Sequence, residues 1–388
     1  MKSSSHSGTP RSLLAHFRDL PDPRVNRTLD HDLIDILLIA ICTLLCGGET
    51  FNDMADFGRA KQDWFKTFLT LRNGIPSHDT FNRVLAALDP KAFLECFLRW
   101  TQSVRQAVPR EIVALDGKAL RRALNEDQSI QYVVSAWAED NSLVLGQLKV
   151  ADKSNEITAL PELLRVLELG GCIVTVDAMG CQKRIAKEIR EADADYVLAL
   201  KGNQETVQAE VKAFLEQALQ EKQGPRLPGA GLSPAAARLA TWETVEKDHG
   251  RLEIRRYHQS TELALFADLA KWEGLQSVGL VEAVREMGGK QTVERRYYLS
   301  SLPLDVPQFA RAVRGHWGVE NKRHWVLDVC FREDQSRART GFAAENLATL
   351  RRLALHLLKQ EKTKKRGLKG KQLTASWDHA YLLRLLAI

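Results

Sequence analysis

The class of the fold is decided by a short apolar stretch, REIVALDGK (residues 110–118), where the character of the chain changes. Its β-branched residues predict a buried strand that ends at Asp116. Two similar runs follow at the spacing of hairpin strands, YVVSAWAED (132–140) and LVLGQLKVAD (143–152), with a polar turn at 139–141. We therefore predict three consecutive strands that pair with one another.

Helices and strands alternate after the third strand. Helical patterns over 157–171 and 181–193 enclose a second buried strand, CIVTVDAMG (172–180), which ends at Asp177. A further strand follows in DYVLALKGNQ (195–204). Hairpin-paired strands followed by alternating helices and strands are typical of an α/β fold with a mixed sheet.

The region upstream, residues 13–105, has a helical pattern throughout and predicts an all-α domain. Within it, Gly and Pro interrupt the chain in GIPSHDTFNRV (74–84), and Ser77 can cap a new helix. A turn before a capped helix is typical of helix-turn-helix modules, in which case Arg83 is a candidate DNA contact. A plain helical bundle used for packing or dimerisation is the alternative. Residues 1–12 are rich in Ser, Gly and Pro and are expected to be disordered.

The region 223–303 alternates in the manner of exposed antiparallel strands. It predicts a β-rich insertion rather than a continuation of the parallel part of the sheet. Helices resume at residue 306 and again over 346–360. The last part, 359–388, is predicted as a basic segment with a short helix. Its run KQEKTKKRGLKGK (359–371) suits a flexible phosphate-binding segment or, equally, a solvated surface.

The composition excludes several classes of protein. With 388 residues, 44% hydrophobic and 27% charged, the chain is an ordinary globular one of two or three domains. A net charge of +6 is compatible with nucleic acid but does not require it. The six cysteines form no C-x-x-C pair, which excludes a zinc ribbon, and the apolar run 33–48 is too short to span a bilayer. Because the first residues lack the apolar core of a signal peptide, we expect a reducing, cytoplasmic location.

Two aspartates are the first candidate functional residues. Asp116 and Asp177 each follow an apolar strand, which seldom tolerates an ionised carboxylate without compensation. Functional groups gather at the carboxyl ends of strands in open α/β sheets. Either aspartate alone would more often be a turn or helix-cap residue, but together they indicate a site that binds a divalent cation.

A third carboxylate comes from RGHWGVENKRHWVLDVCFRED (314–334), whose spacing predicts a helix. In it His316, Glu320, His324 and Asp328 recur every four residues and therefore share one stripe. Glu320 would complete a site of three carboxylates, which could hold two Mg²⁺ ions, with Mn²⁺ as a substitute, and act on a phosphodiester. A zinc site is disfavoured, because no third soft ligand accompanies the two histidines.

Several longer motifs carry a resemblance to a known family. They are LPDPR, GIPSHDTFNRV, ALDGKALR, VTVDAMGCQ, DYVLALKGNQ, HGRLEIR and HWGVENKRHWVLDVCFRED. With them the chain resembles bacterial insertion-sequence transposases of the DDE type, and more narrowly the group that includes the H-repeat-associated proteins. The resemblance implies a ribonuclease-H-like catalytic domain over 110–358, preceded by the associated N-terminal domain. It also implies Asp116, Asp177 and Glu320 as the catalytic, metal-binding triad.

The resemblance further implies an activity and its partners. The protein would be a metal-dependent transposase that cleaves DNA at the ends of an insertion sequence and transfers the freed 3′-hydroxyl to target DNA. Its partners would be double-stranded DNA, as terminal inverted repeats and as target, and a second copy of the chain in a homodimer on DNA. It would act in the bacterial cytoplasm, at the nucleoid. Two alternatives stay open: a metal-dependent nuclease without strand transfer, and a catalytically silent, transposase-derived DNA-binding protein.

The sequence departs from the family pattern around Glu320. Related cut-and-paste transposases carry Tyr, Arg and Lys at minus seven, minus four and plus seven, where this chain has Val313, His316 and Leu327. His316 could replace the phosphate contact of the arginine. Asp328, two helical turns after Glu320, is an understudy metal ligand.

Other polar residues are candidate contacts with the DNA backbone. The candidates within 201–204 follow a strand, and a turn with a helix cap is an equal alternative for them. The candidate at 251 follows a predicted hairpin turn, and a simple surface turn is the alternative there. Trp317 and Trp325 are predicted to pack in the core rather than to stack on bases. The full set of candidate DNA contacts is Arg83, Lys201, Asn203, Gln204, Arg251, Arg314, His316, Lys322 and Arg323.

Overall fold

The structure, a computed structural model, describes residues 13–24, 29–124, 130–150, 156–224, 232–248, 251–319 and 325–386. Residues 1–12, which the sequence predicts to be disordered, lie outside these ranges. The N-terminal part is helical, as predicted. Its described helices are α1 (Leu13–Phe17), α2 (Leu33–Leu45), α3 (Phe51–Ala60), α4 (Gln62–Phe65), α5 (His78–Ala87) and α6 (Pro90–Val104).

Two of these helices begin at side-chain caps. The predicted cap of α5 is confirmed, since the backbone N–H of Thr80 donates to Ser77 Oγ at 3.2 Å. At α3 the caps are reciprocal: Asp53 N donates to Thr50 Oγ1 at 3.1 Å, and Thr50 N donates to Asp53 Oδ2 at 2.8 Å. Each such cap stabilises a helix by about 1 kcal/mol.

The described strands form one mixed sheet with the order β3-β2-β1-β4-β5-β9-β8-β7-β6. The first three strands are antiparallel, and β4 and β5 run parallel to β1. This confirms the predicted α/β class and the ribonuclease-H-like layout of the first five strands. The strands are β1 (Ile112–Leu124), β2 (Ile130–Ala138), β3 (Leu143–Val150), β4 (Ile173–Val176), β5 (Asp195–Leu200), β6 (Ala240–Asp248), β7 (Arg251–Ser260), β8 (Ser277–Met287) and β9 (Lys290–Ser300).

The prediction that β1 ends at Asp116 is wrong. The strand continues to Leu124, because β2 pairs with it on both sides of the aspartate, as in the pair Asp116↔Ser135. What ends beside Asp116 is the parallel pairing with β4, whose last pair is Leu115↔Val176. A single-strand pattern does not show how far each of two neighbours extends.

The strands predicted within 223–303 are present and antiparallel, and they extend the main sheet. The hairpin β8–β9 joins β5 in antiparallel register through pairs such as Val197↔Ser300, and β7 and β6 extend the sheet further. Such an extension satisfies the backbone groups that β5 would otherwise expose at an edge. The sheet is therefore parallel in its middle and antiparallel on both sides.

Helices cover both faces of the sheet. Along β1, Val113 and Leu115 pack with one group of helices, whereas Ala114 packs on the opposite side. The first group contains α7 (Glu156–Val166), α8 (Lys183–Glu191), α9 (Glu205–Gln223) and α10 (Pro234–Ala237); the later helices are α11 (Val306–Val319), α12 (Trp325–Phe331), α13 (Ala343–Gln360), α14 (Leu368–Trp377) and α15 (His379–Leu386).

The N-terminal helices share one apolar core with the C-terminal ones. Almost every residue of α2 is buried, as expected for a helix that is apolar on all sides, and α2 packs against α13. Side chains of α12 and α15 belong to the same core. Among the described residues, no helix combines the length and the apolar composition that a bilayer crossing requires.

The C-terminal part holds two helices, α14 and α15, where the sequence predicts one short helix. The basic run is not uniformly solvated. Lys359 lies over the Trp137 ring at 4.3 Å from its centroid, and Lys371 is buried and donates to the carbonyl of Leu358 at 2.8 Å. These contacts contradict a freely flexible segment, at least at its two ends.

Candidate active site

Asp116 and Asp177 face the same cavity from neighbouring strands. They follow the last registered pair of β1 and β4, Leu115↔Val176, and they line a cavity of about 210 Å³. Side chains alternate along a strand, so both carboxylates share the face of Ala114 and Thr175 rather than that of the buried valines and leucines. The sequence prediction that the two aspartates come together is thus matched by the geometry.

Asp177 also shapes the chain that follows it. Its carboxylate accepts a hydrogen bond from Met179 N at 3.1 Å and begins a 3₁₀ turn over Ala178–Gly180. The cap and the cavity position are compatible, because a carboxylate has two oxygens and several acceptor sites. The turn-cap alternative considered from sequence therefore describes part of what this residue does.

The remaining cavity walls come from three elements. One wall is the end of β5, another is β9, and the third is the last turn of α11. Positive charge enters from the first two, through Lys201 and Arg296. The described lining residues, besides the two aspartates, are Thr175, Val176, Ala178, Val197, Ala199, Lys201, Arg296, Tyr298, Val313, His316 and Trp317.

His316 is held against the sheet by a hydrogen bond. Its Nδ1 lies 3.0 Å from Thr175 Oγ1 on β4. Burial lowers the pKa of His316 below its ordinary value, and Arg296 acts in the same direction, against the opposing effects of Asp177 and Thr175. The ring is therefore neutral at pH 7 and can donate or accept a hydrogen bond there without carrying a fixed charge.

The two tryptophans of the 314–334 stretch are not core residues, so that prediction is wrong. Trp317 is 38% exposed and Trp325 is 60% exposed. Arg296 covers one face of Trp317, with its guanidinium carbon 4.0 Å from the ring centroid. An indole can stack on a cation as well as on apolar side chains, and sequence periodicity does not distinguish the two cases.

Asn203 and Gln204 are engaged within the protein. Asn203 Nδ2 donates to the carbonyl of Ala178 at 2.5 Å, and Gln204 Nε2 donates to that of Cys181 at 3.2 Å. Both bonds tie the segment after β5 to the turn after Asp177. The two amides thus position the chain around the cavity, while Lys201, next to them, lines the cavity itself.

Asp328, the understudy ligand, belongs to a different cluster. Its Oδ1 lies 2.5 Å from Lys118 Nζ, and the same ammonium lies 3.1 Å from Glu333 Oε2. Glu333 Oε1 accepts a hydrogen bond from Arg352 at 3.0 Å. Burial alone would raise the pKa of Glu333, but Arg352 and Lys118 outweigh it and lower the pKa to about 2. Asp328 is not among the described residues that line the cavity of Asp116.

Sequence reasoning missed this cluster, although one signal was available. Lys118 is two residues after Asp116, so both side chains lie on one face of β1. A lysine on an apolar face requires a carboxylate partner. No sequence pattern identifies Asp328 and Glu333 as the partners of Lys118, because α12 and the turn that follows it meet β1 only in the folded protein.

The other candidate DNA contacts are dispersed. Arg83 is exposed on α5, and Arg314 is exposed on α11 with its guanidinium 3.2 Å from Glu246 Oε1. Arg251 begins β7 opposite Asp248, which confirms the predicted hairpin, but its side chain is not described. Three predicted site residues, Glu320, Lys322 and Arg323, and also His324, lie outside the described residues.

The donor set of the cavity suits hard divalent cations. Two carboxylates on adjacent strands supply oxygen ligands, which Mg²⁺ and Mn²⁺ prefer. The described residues contain no group of three or more His, Cys, Asp or Glu that could hold a metal ion, and Asp116 and Asp177 are the two carboxylates among the described residues that line this cavity. Glu320 directly follows Val319, the last described residue of the helix that carries His316 and Trp317.

Comparisons with known proteins give relatives along nearly the whole chain. The "H repeat-associated putative transposase YhhI" of Escherichia coli (strain K12) is 38% identical over 385 residues, 97% of this chain and 98% of that protein. The "Inactive transposase YbfQ" of the same strain is 40% identical over 76 residues, 20% of this chain and 90% of that protein. A solved structure, a piggyBac transposase synaptic complex with hairpin DNA, aligns with 96% of this chain and with 76% of the transposase chain. The sequence identity is 10% and the TM-score is 0.45.

Two family models match consecutive parts of the chain. The one described as DDE_Tnp_1-associated matches residues 14–101, and the one described as transposase DDE domain matches residues 109–357. The second match contains Asp116 and Asp177, and it includes position 320. The chain therefore belongs to the transposase DDE-domain family.

Proposed function

We propose that this transposase cleaves DNA at the ends of an insertion sequence and transfers the freed 3′-hydroxyl to target DNA, in a reaction that depends on divalent metal. The observation that carries the proposal is the matched position of Asp116 and Asp177 on adjacent parallel strands, facing one cavity. Two carboxylates side by side can offer a divalent cation oxygen ligands from both residues. Membership of the DDE family supports the same reading.

The proposed ligands are Asp116, Asp177 and Glu320, and the proposed ions are two Mg²⁺, with Mn²⁺ as a substitute. Bound there, the ions would activate the attacking hydroxyl and stabilise the leaving oxygen. Glu320 is preferred to Asp328 as the third ligand because the carboxylate of Asp328 is already paired with Lys118.

The chain's own residues have distinct tasks in this proposal. Lys201 and Arg296 attract the phosphate into the cavity, and the neutral ring of His316 holds α11 against Thr175. Asn203 and Gln204 position the turn that carries Asp177. The roles of His316, Asn203 and Gln204 rest on contacts that exist before DNA binds, so this part of the site is preorganised.

The partners we propose are double-stranded DNA and a second copy of the chain. DNA would be bound as terminal inverted repeats and as target, with the helices of residues 13–105 contacting the repeat, in part through Arg83. The catalytic domain would extend over 110–358. Because both ends of an element must be joined in one reaction, a homodimer on DNA is expected.

Strand cleavage and transfer can be tested in one experiment. A labelled duplex that carries the element's own terminal repeats is incubated with the protein in Mg²⁺ or Mn²⁺, together with supercoiled plasmid as target. Asp177→Ala is run beside wild type, and Glu191→Gln on α8, an exposed acid on the opposite side of the sheet, is the matched control. Metal-dependent nicking that only Asp177→Ala loses, with label in the plasmid, is the expected result.

The other outcomes separate the alternatives. Nicking without label in the plasmid would mean a nuclease that does not transfer strands. Binding without nicking in either metal would mean a catalytically silent DNA-binding protein. One relative carries the name of an inactive transposase.

A further inference from the structure

A second cavity, of about 470 Å³, lies between the N-terminal helices and the segment 332–340 that follows α12. The N-terminal side contributes the start of α3, with Asn52, and α5, with His78 and Asn82. The opposite side is rich in arginine. We call this cavity the arginine cleft, after Arg332, Arg337, Arg339 and Arg351, which all line it.

Arg351 forms the base of the cleft and makes no direct ion pair with any described residue. Its side chain is 2% exposed, and its Nε makes no hydrogen bond. The next residue on α13, Arg352, pairs with Glu333 at 3.0 Å, whereas Arg351 forms no ion pair to any described residue. Glu333 and Glu49 act on the Arg351 charge only through space, and burying a guanidinium without a carboxylate in direct contact is unfavourable. A buried cation that reaches an open cavity therefore indicates an anionic ligand.

The rim of the cleft has the same charge. Arg337 and Arg339 are exposed, and neither makes a hydrogen bond or an ion pair to any described residue. Arg332 donates to Gln335 Oε1 at 2.5 Å and lies 3.6 Å from Glu49, which is the only acid among the described lining residues. Four arginines against one glutamate leave the cleft strongly positive.

The chain directly after the segment 332–340 is fixed against the N-terminal helices. Phe342 N donates to the carbonyl of Ala86 at 2.9 Å, at the end of α5. Gly341 has a positive φ of 48°, and a Cβ there would lie 2.4 Å from the same carbonyl oxygen, so only glycine permits this approach. The two walls of the cleft are thus held together before any ligand binds.

We propose that the arginine cleft binds a backbone phosphate of double-stranded DNA, with Arg351 as the buried partner of the phosphate and Arg337 and Arg339 as contacts at the rim. The inference deepens the proposed function and rests on it. A duplex held there would contact the N-terminal helices and the catalytic domain at once. The cleft and the active site are linked by one ion pair: Glu333, within the segment 332–340, pairs with Lys118, which is two residues from Asp116.

The test measures DNA binding without metal, so that the carboxylate site takes no part in it. Affinity for the terminal-repeat duplex and for an unrelated duplex of equal length is measured in EDTA over a range of salt concentrations. The double variant Arg337→Gln/Arg339→Gln should bind both duplexes more weakly, on the order of tenfold at moderate salt, with a shallower salt slope. Arg184→Gln, an exposed arginine on α8, is the matched control and should bind as wild type.

Arg351→Met is the second variant, and its thermal unfolding is measured as well. Because Arg351 makes no direct ion pair and Glu333 keeps Lys118 and Arg352 as its partners, the melting temperature of the free protein should change little, while DNA affinity falls. Affinity and salt slope equal to wild type in both variants would overturn the proposal. So would a melting shift with inorganic phosphate that Arg351→Met abolishes without any loss of DNA affinity, because the cleft would then bind the free ion.

Failure of the proposed function gives a different result. A wild-type protein that binds no duplex in EDTA would contradict the proposed function itself. A wild type that binds, with variants that bind equally well, contradicts only the cleft.

Discussion

Asp116 on β1 and Asp177, directly after β4, each lie one residue past the pair Leu115↔Val176. Neighbouring strands of a sheet lie about 4.8 Å apart, so two carboxylates in this relationship can share ions. One consequence concerns the replacement of the Asp177 carboxylate by a thiolate. In Asp177→Cys we expect cleavage in Mg²⁺ to be lost and cleavage in Mn²⁺ or Zn²⁺ to be partly restored, because thiolate prefers softer metals.

The measurement is the ratio of cleavage rates in the two kinds of metal. For Asp177→Cys the ratio of Mn²⁺ to Mg²⁺ rates should rise at least on the order of tenfold over wild type. Asp177→Ala, which offers no ligand, should show no such restoration. Equal loss in every metal for the cysteine variant would count against direct ligation by this residue.

The third ligand can be decided by comparing two carboxylates. Glu320→Ala should abolish cleavage while binding of the repeat duplex is retained. Asp328→Ala should keep most of the cleavage activity, because Lys118 retains Glu333 as its partner. If Asp328→Ala were inactive and Glu320→Ala active, the assignment of the third ligand would be wrong.

The buried charge cluster makes stability depend on pH. Because Arg352 and Lys118 lower the pKa of Glu333 from 4.5 to about 2, its ion pairs stabilise the fold fully above pH 4.5. That contribution is lost as the pH falls towards 2, where the folded protein also takes up the proton. Urea unfolding at pH 6, 5, 4 and 3 should therefore show a fall in the free energy of unfolding that Glu333→Gln does not share to the same extent.

The same variant has a cost at neutral pH. Glu333→Gln leaves Lys118 and Arg352 without their buried carboxylate and should lower the free energy of unfolding by about 3–5 kcal/mol. Glu191→Gln, an exposed acid, should change it by less than about 0.5 kcal/mol. A difference of less than about 1 kcal/mol for Glu333→Gln would show that the cluster is solvated.

Asn203 distinguishes positioning from DNA contact. Its amide donates to the carbonyls after Asp177, so Asn203→Ala should reduce cleavage at saturating DNA, on the order of tenfold, with unchanged affinity for the duplex. Asn73→Ala, which removes a comparable amide bond to Asp30 far from the cavity, is the control. A loss of affinity with an unchanged rate at saturation would instead mean that Asn203 binds DNA.

Much of the architecture follows from local pattern. The β-branched run at 110–118, the hairpin spacing and the cap at Ser77 are short-range signals, and each corresponds to an element in the structure. That Asp116 and Asp177 lie close together was also predictable, since parallel strands bring their carboxyl ends to one edge of the sheet. What the pattern could not give was the extent of β1, because β2 and β4 pair with different lengths of it.

The errors have one physical origin, which is contact between distant parts of the chain. The alternation of 223–303 predicts antiparallel strands but not where they attach, which only the pairing of β9 with β5 shows. The sequence predicts Trp317 as a core residue, because it does not show that Arg296 lies over the indole ring. The partners of Lys118 come from two hundred residues downstream in the sequence.

The core shared by α2 and α13 has a consequence for synthesis of the protein on the ribosome. Residues 33–45 leave the ribosome early, yet the helix against which they pack, 343–360, is made near the end. Until then the apolar surface of α2 lacks a major part of its cover. The first hundred residues therefore complete their packing only after residues 343–360 have emerged, and a product truncated before residue 343 lacks the helix that covers α2.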